Sequence, residues 1–234
     1  MKLTPRLQAI VDKVTRGHTV ADIGTDHGYI PIYLIKNNIS PKVIAGDINE
    51  GPLRNAQKQI AIAGLHDRVI TRLGNGLEIL KQGEAETVII SGMGGSLIKD
   101  LLLNSLSIVE SVKQIILQPM VAQAELRYWL SQHEFNIVDE SLAREGNKYY
   151  EIMVVERGKM AIDDEIYYII GKKLLENNDP LLMEYAEMQL RKHKNILKGL
   201  EDPQSNNARL KSLEFKKIVQ KLEEVLRCLK NAKH

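Results

Sequence analysis

The hydrophobic pattern of the chain changes once. Over residues 1–159, short runs rich in Val and Ile alternate with stretches whose apolar positions recur every three or four residues. The runs predict strands at 19–23, 42–46, 69–73, 87–91, 114–118, 135–142 and 149–155. The first five are almost continuously apolar, as strands buried on both faces should be, and helical segments separate them. That alternation predicts a parallel sheet with right-handed crossovers. The last two runs flank "AREGNK", a turn-rich stretch that predicts an antiparallel hairpin at the sheet edge. An opening helix is signalled by Thr4 as its cap, Pro5 at its first position and Gly17 at its close.

From residue 160 onward the period becomes heptad. Met183, Leu190 and Leu197 recur with Ala186, His193 and Leu200, then Phe215, Leu222 and Leu229 with Ile218, Val225 and Ala232. Between the two sets lies "EDPQSNNA", a stretch of helix-breaking residues. The expected organisation is an α/β, doubly wound Rossmann-like domain over 1–159. A helical, coiled-coil-like hairpin follows over 160–234, with His193 in its seam as a packing residue.

Composition adds a few limits. The 234 residues are 44% hydrophobic and 26% charged, an ordinary globular balance. A net charge of +2 announces no nucleic-acid partner by itself, because a local basic face is what matters. The segment from residue 159 carries 15 Lys or Arg against 12 Asp or Glu, with lysines clustered in "LRKHKNILKG" and "EFKKIVQK". These read either as a solvated helix face or as a clamp for a phosphate backbone. A lone cysteine, Cys228, leaves no partner for an internal disulfide. The first residues read as a helix rather than a signal peptide, and no apolar run is long enough to span a bilayer; the expectation is a cytoplasmic protein. Nothing in the sequence requires a protein partner or a metal.

Four stretches carry candidate chemistry, each at the end of a predicted strand. In "VADIGTDHGYIP", Gly24 ends the first strand and Gly28 opens a helix, a turn that aims N–H groups and a helix dipole at a ligand's negative end. Asp26 stands where the dinucleotide fingerprint has its second glycine, so a pyrophosphate is disfavoured. A ligand with positive charge suits this loop, and S-adenosylmethionine has a sulfonium, an ammonium and one carboxylate. In "VIAGDINEGP", Asp47 sits at a strand tip about twenty residues on, where an acid receives ribose hydroxyls. Asn75 and Gly76 in "RLGNGLEIL" suit an adenine edge. "VIISGMGGSLI" leaves a floor of little bulk where cofactor meets substrate, with Gln118 and Pro119 of "LQPM" on the same rim.

Taken in order with "LTPRL", these motifs resemble the bacterial tRNA (adenine-22-N1)-methyltransferase family, over about the first 120 residues. The resemblance implies a class I methyltransferase domain with a helical C-terminal domain, S-adenosylmethionine as cofactor and tRNA as partner. It implies Asp26 and His27 as catalytic residues. Asp22, Gly24, Thr25, Gly28, Asp47, Ile48, Asn75, Gly76, Ser91 and Gly92 would hold the cofactor. Arg6, Tyr29, Met93, Gly94, Gln118 and Pro119 would meet the substrate, although Tyr29 and Met93 read equally well as core packing. The stretch "SGMGG" has neither the prolines nor the aromatic of exocyclic-amine methyltransferases, which favours a ring nitrogen. Two alternatives stand beside this reading: methylation of a small metabolite, and binding of cofactor and RNA without chemistry. A nicotinamide oxidoreductase ranks below both, because the glycine pattern is wrong.

Overall fold

The computed structural model describes residues 1–200 and 206–231. It divides into two compact units, Met1–Ala161 and Ile162–His234.

The first unit is a seven-stranded sheet in the order β3-β2-β1-β4-β5-β7-β6. Its strands are β1 (Val20–Ile23), β2 (Val43–Asp47), β3 (Val69–Leu73), β4 (Thr87–Met93), β5 (Gln114–Pro119), β6 (Phe135–Glu145) and β7 (Lys148–Arg157). The first five are parallel, and β7 runs antiparallel to both β5 and β6. Helices α1 (Pro5–Asp12), α2 (Tyr29–Lys36) and α3 (Glu50–Ile62) cover one face, with Ile10, Leu34 and Ala56 fully buried there. Helices α4 (Gly95–Leu103), α5 (Leu106–Val109) and α6 (Gln123–Gln132) cover the other through Ile98, Leu102 and Leu130. Chain order reverses between β1 and β4, and in an open α/β sheet ligands bind in the crevice at the carboxyl ends of such strands. Beside β5, Arg127 is buried between Glu140 and Glu151, pairing with them at 2.7 and 2.5 Å and tying α6 to the edge hairpin. Breaking such a buried cluster would leave an uncompensated charge.

Several boundaries differ from the sequence reading. Thr4 does cap α1, accepting from the Leu7 N–H at 3.4 Å, but the helix ends at Asp12 with Lys13 as its C-cap, short of Gly17. Gly17 instead donates its N–H to the Ile39 carbonyl, joining the loop before β1 to the one before β2. The "AREGNK" turn shrinks to Gly146 and Asn147, because Ala143–Glu145 pair onward up to Glu145 opposite Lys148.

The second unit holds four helices among the described residues: α7 (Ile166–Ile170), α8 (Lys172–Glu176), α9 (Leu182–Lys198) and α10 (Asn206–Asn231). The expected two-helix hairpin therefore has two short helices added, with Ile170 and Leu174 fully buried. The buried line of α9 is Leu182, Ala186, Gln189 and His193, while Met183, Leu190 and Leu197 are only half-buried. Extra partners explain the wider face, since the Tyr185 hydroxyl donates to the Ile169 carbonyl of α7 at 3.4 Å. On α10 the heptad residues Phe215, Ile218, Leu222, Val225 and Leu229 do face inward, joined by Leu226. Asn206–Ala208, expected in the connecting loop, already belong to α10; residues 201–205 of that loop and Ala232 lie outside the described residues. His193 is buried with Nδ1 2.8 Å from the Gln189 carbonyl and its ring 5.8 Å from that of Phe215. Burial holds its pKa below the usual histidine value.

Candidate active site

A cavity of about 680 Å³ opens at the switch point. Its wall comes from the loop after β1, the end of β4, the segment leading into α1 and Glu145 of β6. Asp22, Gly24, Thr25, Asp26, His27, Tyr29, Ser91, Gly92 and Arg6 all line it, so nine of the sequence-derived site residues meet in one space.

The loop after β1 is built in layers. Asp22 is almost wholly buried and accepts from the Thr25 hydroxyl at 2.7 Å. Burial pushes its pKa up to about 6, partly opposed by the Thr25 bond and reinforced by the charge of Asp47. Gly24 has φ +80°, and a Cβ there would lie 2.6 Å from Met93 Cε, so only glycine leaves this floor open. The N–H groups of Gly24 and Thr25 both donate to the Gly46 carbonyl, and that of Gly28 to the Thr25 carbonyl. These three donors are engaged within the fold, which leaves fewer N–H groups of the turn for a ligand's negative end. Pro31 removes another free donor from the first turn of α2.

Asp26 adopts φ +40°, a left-handed conformation costly for a residue with a side chain, and such strain concentrates at functional sites. The conformation leaves its carboxylate 61% exposed, with His27 Nε2 3.4 Å from Oδ2. The His27 ring in turn stacks on exposed Tyr29, centroids 5.3 Å apart. An acid, an imidazole and a phenol thus share one solvent-facing edge of the cavity.

At the tip of β2, Asp47 is largely buried and uses Oδ1 to accept the Asn49 N–H at 2.8 Å. Ile48 beside it is 62% exposed, an apolar surface where a flat ring could rest. Asn75 is exposed ahead of a 3-10 turn, Gly76–Ile79, and its amide reaches Glu78 Oε1 at 3.3 Å. Gly76 has a structural reason of its own, because a Cβ would strike Leu101 of α4.

The "SGMGG" stretch is not simply a loop. Strand β4 continues through Met93 with a bulge between Ser91 and Met93, two residues beyond its predicted end. Gly92 has φ +75° and donates its N–H to Gln118 Oε1 at 3.2 Å. Gly94 caps α4, and Gly95 packs against the Ala122 carbonyl. Gln118 is fully buried; besides Gly92, its Oε1 accepts from Arg6 Nη1 at 2.9 Å, and its Nε2 donates to the Pro119 carbonyl at 3.0 Å. Gln118 and Pro119, expected to touch substrate, are buried, and the exposed rim beyond them is Met120 and Val121. Sequence reasoning also missed Glu145. Although burial pushes this carboxyl up, bonds from the Thr4 hydroxyl and Arg6 N–H and the Arg6 charge hold it below the usual range. The only sequence signal was the turn beside it.

Sheet order, switch-point cavity and glycine floor define a class, the Rossmann-like methyltransferases. Residues 3–153 match the family model described as a methyltransferase domain. The chain is 32% identical over 221 residues to the tRNA (adenine(22)-N(1))-methyltransferase of Bacillus subtilis, covering 91% of this chain and 93% of that one. It belongs to the family of tRNA (adenine(22)-N(1))-methyltransferases. Among solved structures, B. subtilis TrmK, an m1A22 tRNA methyltransferase, superposes with TM-score 0.86 at 29% identity, over 96% of this chain and 99% of that one. M. capricolum TrmK, bound to S-adenosylhomocysteine, gives 0.81 at 30% identity over 98% and 100%.

Proposed function

We propose that this chain transfers the methyl group of S-adenosylmethionine to N1 of adenosine 22 in the D-arm of tRNA. The observation that carries the reading is the switch-point cavity, acidic at Asp22 and Asp26 and floored by Gly24 and Gly92, in a member of this family. The first unit is then the methyl-transfer domain, and the helical unit supplies a surface for RNA. Such a protein works where tRNA is, in the cytoplasm; no helix among the described residues is long and apolar enough to cross a membrane.

The residues fit the cofactor. Asp47, with one oxygen fixed by Asn49, can take a ribose diol, and exposed Ile48 offers an apolar seat for adenine beside Asn75. Asp22 is buried, bonded by Thr25 and of raised pKa; an ammonium group would stabilise its ionised form. The cavity, which Asp47, Ile48 and Asn75 do not line, has room for the amino-acid end of the cofactor and an incoming base. S-adenosylmethionine supplies, when bound, a methyl group on a sulfonium.

The protein has little proton chemistry to perform. N1 of neutral adenine bears a lone pair and no proton, so no side chain need act as a base before attack. The methylated base is a cation, and a fixed carboxylate stabilises charge that develops during transfer. Asp26, held outward by its left-handed backbone, provides that carboxylate and an acceptor for the 6-amino group. His27, 3.4 Å away and stacked on Tyr29, orients Asp26 and offers a platform for the extruded base.

Incubation with methyl-labelled S-adenosylmethionine and unmodified tRNA, followed by nuclease digestion and mass spectrometry, tests the reading. N1-methyladenosine in the D-arm is expected. Label confined to a small metabolite, or RNA binding without methyl incorporation, would favour the two alternatives. Asp26→Asn should lower turnover about 10- to 100-fold while binding cofactor normally. Full turnover in that variant would remove the carboxylate from the mechanism.

A further inference from the structure

The N–H groups of Gly24, Thr25 and Gly28 are already engaged, so fewer main-chain donors of the turn remain for an anionic group. Two cations line the cavity, Lys2 and Arg6. Lys2 is exposed, whereas Arg6 is held on three sides. Its Nη1 donates to Gln118 Oε1 at 2.9 Å, its guanidinium lies over the Tyr150 ring at 5.6 Å, and its main-chain N–H is bonded to Glu145. Among the described residues, the rest of the guanidinium meets no protein acceptor.

The nature of these partners matters. The nearest carboxylate, Glu145, is occupied by the Thr4 hydroxyl and the Arg6 main chain rather than by the guanidinium. The group that fixes the guanidinium is a neutral amide, so no carboxylate is bonded to it, and Glu145 acts on its charge only through space. Gln118 is fully buried, and the same Oε1 also accepts the Gly92 N–H. One amide therefore sets both the cation and the left-handed turn at the end of β4. A preorganised guanidinium with free N–H groups binds a carboxylate in fork geometry at little ordering cost.

We propose that Arg6 receives the α-carboxylate of the bound nucleoside amino acid, and that Gln118 is the positioning residue that aims it. This rests on the reading that the cofactor is S-adenosylmethionine. Asp22 and Asp26 then stand on the ammonium and sulfonium side, and Arg6 on the carboxylate side, so the cavity matches a zwitterion.

The test is titration calorimetry of the full chain with S-adenosylhomocysteine and with its decarboxylated analogue, which lacks only the carboxylate. The unsubstituted protein should prefer the former by about tenfold or more, as a charged hydrogen-bonded pair implies. Arg6→Ala should bring the ratio close to one. Gln118→Leu should shrink it, and so should Gln118→Glu, which keeps the bond to Arg6 but answers its charge. Titration with tRNA should be unchanged in Arg6→Ala. An unaltered ratio in Arg6→Ala overturns the proposal, as does weakened tRNA affinity with the ratio intact, which would assign Arg6 to an RNA phosphate. Failure of the unsubstituted protein to bind either nucleoside would sink the cofactor reading itself.

Discussion

Asp22 shows how much one residue can hold in reserve. Its carboxyl is buried with a single hydroxyl partner, so in the free protein ionisation is resisted up to about pH 6. The unfolded chain gives up the same proton near 3.8. Between those values the folded state binds more protons, so stability falls as pH rises from about 4 to about 6 and stays lower above. The two-unit difference corresponds to roughly 3 kcal/mol. Asp22→Asn should therefore stabilise the free protein by up to that amount in urea unfolding at pH 7.5, with little difference at pH 3.5. The same variant should bind S-adenosylhomocysteine more weakly, because the charge that costs stability faces the ligand's ammonium. At this scale the sequence was informative wherever chemistry and position were local. Asp26 in a glycine turn and Asp47 after an apolar run stand out from a few neighbours, and Asp26 does line the cavity. The Arg6–Gln118 bond joins residues 112 apart, and the Arg6–Glu145 bond joins residues 139 apart. No local pattern encodes either of them.

Elements explain why three glycines within "GMGG" are not equivalent. Gly92 needs its positive φ, Gly94 only caps α4, and Gly95 lets α4 approach the loop before α6. A Cβ on Gly95 would lie 2.5 Å from the Ala122 carbonyl, a backbone atom that cannot swing aside. Ala122 is itself locked at φ +59°, and the Val121 carbonyl takes the Gly95 N–H at 2.9 Å. Gly95→Ala should cost about 1–3 kcal/mol, measured by urea unfolding. Gly94→Ala, whose Cβ meets Val121 Cγ2 at an ordinary 3.5 Å, should be nearly neutral in the same assay. Equal losses would mean that helix entry, not packing, explains these glycines. All seven strands were legible because hydrophobic runs and turn residues mark them. Their ends were not: β4 runs on through its bulge by pairing with β5, and β6 runs on opposite β7. The partner strand sets those limits, and it lies elsewhere in the chain.

For the whole molecule, the hydrophobic period changes near residue 160, and the chain divides into two compact units, Met1–Ala161 and Ile162–His234. What the heptads could not convey was α7 and α8, too short to establish a period yet able to widen the buried face of α9. The distribution of lysines acquires meaning once their neighbours are known. Lys192, Lys194 and Lys198 all project from α9 into solvent, but Lys194 is paired with Glu223 of α10 at 2.6 Å. Exposed pairs of this kind contribute little to stability, so charge can be altered here without unfolding the bundle. If the face binds tRNA, replacing Lys192 and Lys198 by Ala should weaken binding. It should also reduce the slope of log K against log salt by roughly one for each lysine that no longer meets a phosphate. Lys194→Ala should have a smaller effect, because Glu223 already offsets its field. Glu223→Gln should act in the opposite direction, releasing Lys194 and tightening tRNA binding. These changes should leave S-adenosylhomocysteine binding and the unfolding midpoint untouched, which separates an RNA-binding role from a structural one. If affinity and salt slope stay constant across all four variants, the lysines are a solvated face and the tRNA is read from the first unit alone. The opposed signs for Lys194→Ala and Glu223→Gln make the test stricter than simple loss, since general damage to the helices cannot strengthen binding.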